Sequence, residues 1–415
     1  MEKACLEGLD PKPPLFFCAA LALGLAGFMF FFFVLDRGGT EICLDVCIVA
    51  LVMLISLGAY NPLRYAYVAW SLLVVAGLGF ISLVVPWANT NTHDLETVLK
   101  FISVVLSIHY LSIVKGDART KRYLNVVLMA LLLMTIVWQF VSCVVFHMPF
   151  GMFTNPHYLG SVSILTLPLV FYFVYISQGL RRIIFSVAGV LNVGTLVLSN
   201  SRPAWISITI SFLVGIFLVF RGRKRWAGLL FLVITVTFLL GVDGVARWRM
   251  EDLLQNISRE DRVSIWKDAL VTLENNTLPE WAVGHGIGSA RAMRYSNYPT
   301  LHFPHNFLIE LMYSNGVIGV FLVLLPLAYL CAKLLRGMDT LRNSRDRVFL
   351  GCLLMVFIAW LLHAGVVFPV YSRRTLYPFS LIFGCMVAWG ERLRCGDLEG
   401  ACPEGLPRST DGCGA

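Results

Sequence analysis

Long apolar runs, broken by short polar ones, set the pattern of this chain. An α-helix rises 1.5 Å per residue, so about 20 apolar residues cross a hydrocarbon core of about 30 Å. About twelve segments meet that rule. They run near 15–35, 41–59, 67–86, 97–114, 123–146, 157–178, 183–199, 204–220, 226–242, 316–334, 348–367 and 375–391. The pattern predicts an all-α, polytopic membrane protein with about 12 transmembrane helices. One large polar loop, 243–304, is expected to contain short helices of its own. The organisation expected is nine spans over 1–242, a loop unit over 243–315, three spans over 316–392 and a tail over 393–415. The tail from Gly396 contains Gly, Pro and Cys without periodicity, which predicts disorder. The first apolar run lacks a small-residue cleavage site and reads as a span rather than a signal.

Composition sharpens the picture. The chain of 415 residues is 58% hydrophobic and 14% charged, where soluble domains average about 25% charged. Its net charge of +8 would suggest nucleic acid in a soluble protein. Here the basic residues follow topology instead. Lys115, Arg119, Lys121 and Arg122, then Arg181 and Arg182, then Arg221, Arg223, Lys224 and Arg225 fill alternate short loops. Arg336, Arg342, Arg345, Arg347, Arg392 and Arg394 continue the series, while 87–96 and 147–157 hold no Lys or Arg. Basic loops stay in the cytoplasm, so both termini are expected inside and the loop 243–304 outside. Membrane lipids, not nucleic acid, are the expected surroundings. Tyr60, Trp70, Trp87, Tyr377 and Trp389 sit near span ends, as interface anchors do. The 11 cysteines show no metal-ligand spacing, and the outward loop has none, so neither a metal site nor a disulfide framework is expected. No cofactor is expected either.

The outward segments carry the polar chemistry. Pro149–Ser161 holds Asn155 and His157 at the mouth of a span. Arg202 lies between two spans joined by almost no loop. It is either a snorkelling side chain or an anion site at the membrane surface, where ionisable groups are costly and tend to be functional. The long loop opens with Arg247 and Arg249, and Ser258 then reads as the N-cap of a helix. Arg262, Trp266, Ala269 and Leu273 share one face of that helix. Arg262 either faces the bundle or pairs with Glu260 or Asp261. The run Gly284-His285-Gly286-Ile287-Gly288 lacks the strand–helix setting of a phosphate loop. Its glycines still permit close backbone approach and offer amide N–H groups to anionic oxygens. Arg291 and Arg294 follow. Pro304-His305-Asn306 then opens a helix expected to stop at Asn315-Gly316. His305 is expected in its first turn, where the helix dipole disfavours imidazolium. It reads as a neutral base or as a capping histidine. Asn306 and Glu310, four residues apart, are placed to orient a substrate or each other. His285 and His302 compete with His305, whereas His109 and His363 lie inside spans and read as buried hydrogen-bonding groups.

Together these stretches resemble the O-antigen ligase and polymerase superfamily of bacterial membrane glycosyltransferases. The matching pieces are Asn155-Pro156, Ser201-Arg202, Asp261-Arg262 with Trp266, Gly284–Gly288, His305-Asn306 and the span start Gly316–Gly319. The resemblance implies an active site at the periplasmic face of the bacterial inner membrane and a glycan donor linked to undecaprenyl diphosphate. It also implies a transfer that needs no metal. In that reading Arg202 and Arg262 stabilise the departing diphosphate and His305 takes the acceptor proton. Arg247, Arg249, Asn155, His157, Gly284, Gly286, Gly288, Arg291, Arg294, Asn306 and Glu310 are the implied substrate-binding set. One base opposite the leaving group implies inversion at the anomeric carbon. A ligase acting on a lipid A-core acceptor is preferred to a polymerase, because only one outward loop is sizeable. A transporter for the same lipid-linked glycan is the other class considered. It would place charges near the bilayer midplane, and few are found there, Asp45 being the main one.

Overall fold

The computed structural model describes residues 15–31, 39–85, 88, 90–113, 118–146, 155–220, 225–226, 229–230, 233, 261–296, 302–341, 344–367 and 370–395. Among the described residues there is no strand. The helices are α1 (Leu15–Phe30), α2 (Gly39–Ser56), α3 (Ala66–Val84), α4 (Thr92–Ile113) and α5 (Ala118–Val144). Next come α6 (Pro156–Ile176), α7 (Gly179–Leu198), α8 (Arg202–Val219), α9 (Asp261–Glu274) and α10 (Leu278–Val283). The last are α11 (Phe307–Thr340), α12 (Ser344–Val367) and α13 (Arg373–Cys395). Seven of them, α3, α4, α6, α7, α8, α11 and α12, are long and apolar enough to cross a membrane. Each expected span except 226–242 coincides with a helix; that segment lies largely outside the described residues, as do Arg247, Arg249 and Ser258.

α4 and α7 each keep a more polar face, whereas α6, α8 and α12 are apolar on all sides rather than amphipathic. Their association therefore rests on shape. The start of α6 comes so close to α8 that a Cβ on Gly160 would stand 2.7 Å from the Ala204 Cβ and 3.1 Å from the Ser201 Cβ. Small residues of this kind let helix backbones approach in a bilayer. α4 packs along α13, α6 along α7 and α12, and α8 along α12. α12 is the most enclosed of the spans, while α11 keeps most of its surface outward. None of the described cysteines, Cys18, Cys43, Cys47, Cys143, Cys331, Cys352 and Cys385, forms a disulfide.

Two expectations need correction. The aromatic belt is thinner than expected: Trp70 is exposed, but Tyr60, Tyr377 and Trp389 are buried. Tyr60 bonds the Nδ1 of His109 at 3.0 Å inside the bundle, because a buried hydroxyl must find a partner. The second concerns Asn315-Gly316, which interrupts the helix without ending it. Gly316 has φ 63° and ψ −172°, and α11 continues beyond it to Thr340. Such a break strips nearby carbonyls of their i+4 donors. The glycine run supplies replacements: the amide of His285 donates to Tyr313 O at 3.0 Å, and that of Gly286 to Ser314 O at 2.8 Å. The two backbones can meet only through glycine. A Cβ on Gly284 would lie 2.5 Å from the amide nitrogens of Asn315 and Gly316.

Candidate active site

We call the end of the bundle where α4, α6, α8, α11 and α13 begin its upper end. Four of the segments there are cross-linked through histidines and an arginine. The side chain of Asn155 caps α6 by accepting the amide of His157 at 2.8 Å. That turns the His157 ring toward α8, where Nδ1 meets Ser201 Oγ at 2.9 Å. From α12, His363 Nε2 donates to the His157 carbonyl at 3.1 Å, and the two rings lie 6.3 Å apart. From α13, the Arg374 guanidinium stacks 3.9 Å above the Tyr158 ring. Its neighbour Arg373 is anchored on Glu41 Oε1 at 2.9 Å. Glu41 in turn pairs with the buried Lys100 of α4, which also holds Glu96 at 2.6 Å. This charged cluster ties α2, α4 and α13 together and fixes where α13 starts.

His305 sits one residue ahead of the α11 cap rather than in the first helical turn, which corrects the sequence expectation. Asn306 is the cap, its Oδ1 accepting the amides of Leu308 at 3.0 Å and Ile309 at 3.1 Å. His305 adopts φ 50°, a left-handed conformation uncommon outside glycine. It is held there by Phe303, whose ring lies 4.4 Å away edge-on, and by Val367 of α12, whose carbonyl is 2.6 Å from Nδ1. A carbonyl can only accept, so Nδ1 carries the hydrogen and Nε2 is the basic nitrogen. Burial is the main cause that pushes the His305 pKa below the ordinary imidazole value. The Val367 bond works the other way, and the positive charge of Arg262 adds to the depression. The ring is therefore neutral near pH 7.

Arg262 opens α9, a helix seated on the glycine run and on α11. Ile265 and Ala269 of α9 pack with Ala290, Met293 and Tyr295, flanked by Ile309 and Tyr313. Asp268 accepts the Ser296 amide at 2.7 Å. The buried face of α9 is thus Ile265, Ala269 and Leu273 with Trp266 at its edge, close to the stripe expected. So seated, Arg262 lies within electrostatic reach of His157, His305 and His363. Arg202 heads α8 directly beside Ser201. The starts of α6, α8, α9, α11 and α13 thus meet at one end. Each helix start carries a partial positive charge, about half an elementary charge, in addition to the arginines. The electrostatics of this end attract anions.

Other expected substrate contacts also have partners within the fold. The amides of Gly284 and Gly286 are committed to Glu280 O and Ser314 O, and that of Ile287 to Ser82 Oγ. The glycine run thereby splints the broken helix, and these amides are not left for an anion. Arg291 is held in a bidentate pair by the buried Asp94, with Nε to Oδ2 at 2.8 Å and Nη2 to Oδ1 at 2.6 Å. Arg294 is exposed and, among the described residues, donates to the carbonyl of Met293. Glu310 does not face Asn306; it is buried and accepts the amide of Val370 at 2.8 Å. Of the competing histidines, His285 stacks on Tyr313 at 4.2 Å and is structural, and His302 is exposed. Sequence reasoning passed over Asp94, Tyr158 and Arg374. Only Arg374 carried a signal, since Arg373-Arg374 opens a span at an end that the charge bias of the short loops would leave free of Lys and Arg.

Below the upper end lies an apolar cavity of about 800 Å³ between α3 and α11. Phe307, Leu311 and Val370 line its top, and Tyr67, Tyr329 and Val387 its far end. From Phe307 to Tyr329 it follows α11 for roughly 30 Å at 1.5 Å per residue, about the thickness of a bilayer core.

These features define an all-helical membrane protein with an anion-attracting, histidine-bearing site at one end and a lipid-sized groove beneath it. Residues 187–324 match the O-antigen ligase family, from α7 through the first half of α11. The resemblance of the sequence to the O-antigen ligase superfamily is borne out over that region, which includes Arg202, Arg262 and His305. Members of the family are membrane glycosyltransferases that act on lipid-linked glycans. No curated protein matches the chain.

Proposed function

We propose that this protein is an O-antigen ligase. It transfers a glycan from undecaprenyl diphosphate to a hydroxyl of a lipid A-core oligosaccharide, at the periplasmic face of the inner membrane. The observation that carries the reading is the meeting of His305 and Arg262 among converging helix starts. Nδ1 of His305 is held by Val367 O at 2.6 Å, and the neutral ring leaves Nε2 to accept a proton. The acceptor hydroxyl loses its proton to Nε2 as its oxygen bonds to the anomeric carbon. The bond from that carbon to the diphosphate breaks at the same time, with inversion. Negative charge grows on the diphosphate, and Arg202 and Arg262 are the groups that meet it. Arginine stays protonated and binds such oxygens bidentately, so the reaction runs without a divalent ion. The apolar groove beside α11 suits the donor's polyprenyl chain: a tail longer than one leaflet needs a channel as long as the bilayer is thick.

Purified protein in nanodiscs, given a polyprenyl-diphosphate glycan and lipid A-core, is expected to form the conjugate in the presence of chelator. Loss of activity with chelator overturns the metal-free step. Glycan joined to glycan identifies a polymerase, and movement of the intact donor across the bilayer without transfer identifies a transporter.

A further inference from the structure

We propose a second binding site, a saccharide subsite in the polar recess between the start of α4 and the glycine run. The recess holds about 300 Å³ and is lined by Thr90, Asn91, Thr92, Gly288, Ser289 and Arg291. Its chemistry excludes most ligands. Arg291 engages Asp94 through Nε and Nη2, so the pair brings no net charge and does not select a phosphate or a carboxylate. No aromatic or large aliphatic side chain lines the recess, so a lipid chain or a flat ring gains nothing there. What the walls do present is a close alternation of donors and acceptors. The Arg291 side chain is 47% exposed, with Nη1 outside the Asp94 pair. The Oδ1 of Asn91 is occupied by the amides of His93 and Asp94, which leaves its NH2 as the donor. Thr90 donates to Ser82 O at 2.8 Å and keeps lone pairs to accept with. Thr92 adds an exposed hydroxyl. Ser289 is 3% exposed, and its Oγ, shielded just behind the recess wall, has no partner among the described residues. A buried hydroxyl is seldom left so. Neutral, hydroxyl-rich and ring-sized, the recess matches an uncharged sugar unit.

Its place in the fold gives this subsite a use. The Asp94–Arg291 pair acts electrostatically on Glu310. Glu310 holds Val370, three residues beyond the Val367 carbonyl that fixes His305. The subsite therefore opens on the same end of the bundle as the reacting groups, where a glycan extending from the diphosphate or from the acceptor core would run. This inference rests on the proposed glycan transfer for its purpose, though not for its chemistry.

The test uses the full-length protein in nanodiscs and the substitution Thr92→Trp, which fills the recess from its exposed rim. Saturation-transfer NMR with a panel of neutral and uronic-acid oligosaccharides is expected to give a saturable signal for at least one neutral sugar, and Thr92→Trp is expected to abolish it. In transfer assays the substitution should lower kcat/KM for a long-glycan donor roughly tenfold, the weight of one or two lost hydrogen bonds. A donor bearing one sugar should react at the wild-type rate. The subsite is refuted if no neutral sugar binds, if only acidic sugars bind, or if Thr92→Trp affects both donors equally or neither. A wild-type protein that transfers nothing but binds a neutral sugar in a Thr92-dependent way would sink the ligase reading and leave the subsite standing.

Discussion

Replacing Gly316 with alanine tests the splinted helix on which the site is built. At φ 63° and ψ −172° Gly316 occupies a region that side chains avoid, at a cost of about 1–3 kcal/mol for alanine. The new Cβ would also stand 2.6 Å from the Gly284 nitrogen, a contact with backbone that no rotamer can relieve. The two backbones must separate, which breaks the bonds from His285 N to Tyr313 O and from Gly286 N to Ser314 O. At about 1 kcal/mol each, and more where a carbonyl is left buried, the local cost comes to roughly 3–5 kcal/mol. Gly58 is the control. It also has positive φ, at 70°, but a Cβ there meets nothing within 4 Å, so Gly58→Ala carries only conformational strain, about 1–2 kcal/mol. Hydrogen–deuterium exchange of peptides covering 282–288 reads the difference directly. In Gly316→Ala those amides should exchange more than 100-fold faster, the equivalent of about 3 kcal/mol; in Gly58→Ala they should stay protected. Wild-type protection in Gly316→Ala would show that the two backbones do not depend on each other and would remove the physical reason for the glycine run.

Other expectations follow from the site itself. His305→Ala should lower kcat by about 10²–10⁴, the usual weight of a general base, with little change in donor KM; a wild-type rate excludes His305 as the base. Because burial and Arg262 depress its pKa, the wild-type rate should be full at pH 7 and fall on acidification only below the ordinary imidazole value, about 6.5. Arg262→Gln removes one of the two causes, so besides slowing the reaction it should move that acid limb to higher pH; an unmoved limb would mean that the two groups do not interact. Glu310→Gln keeps an acceptor for the Val370 amide and should be nearly wild type in kcat. Glu310→Ala should lose about tenfold at unchanged KM by loosening the turn that holds Val367; equal effects of the two substitutions in steady-state kinetics would count against that positioning role.

Much of this fold could be read from apolar periodicity, because span length and helix geometry leave few alternatives in a bilayer. The starts of α6 and α11 were legible for the same local reason, although Asn155 and Asn306, read as substrate contacts, turn out to cap them, bonding amides two or three residues on. Arg202 was found as a candidate through its place between two closely joined spans, and His305 through its position at a helix start. What stayed hidden depends on segments far apart in the chain. Asp94 and Arg291 are separated by 197 positions, and His363 and the His157 carbonyl by 206. The glycine run's part in holding α11 stayed hidden for a related reason. Free amides on a flexible turn do suggest an anion, and only the partner backbone at 313–316 reveals where those amides go.

That splint bears on how such a site is held in a membrane. A polar loop lying against a bilayer has little apolar area to bury, so packing alone gives it weak orientation. Here the loop is tied by backbone bonds to a deliberate gap in α11, by a salt bridge to α4, and by the face of α9 seated on both. The same helix presents His305 just ahead of its cap and opens its gap three turns later. His305 and the splint therefore share one rigid element. A tilt of α11 carries both together, and the spacing between Arg262 and His305 survives it. A helix unbroken at Gly316 would give up this coupling, because the carbonyls of Tyr313 and Ser314 would then bond within α11 and the glycine run would have nothing to hold.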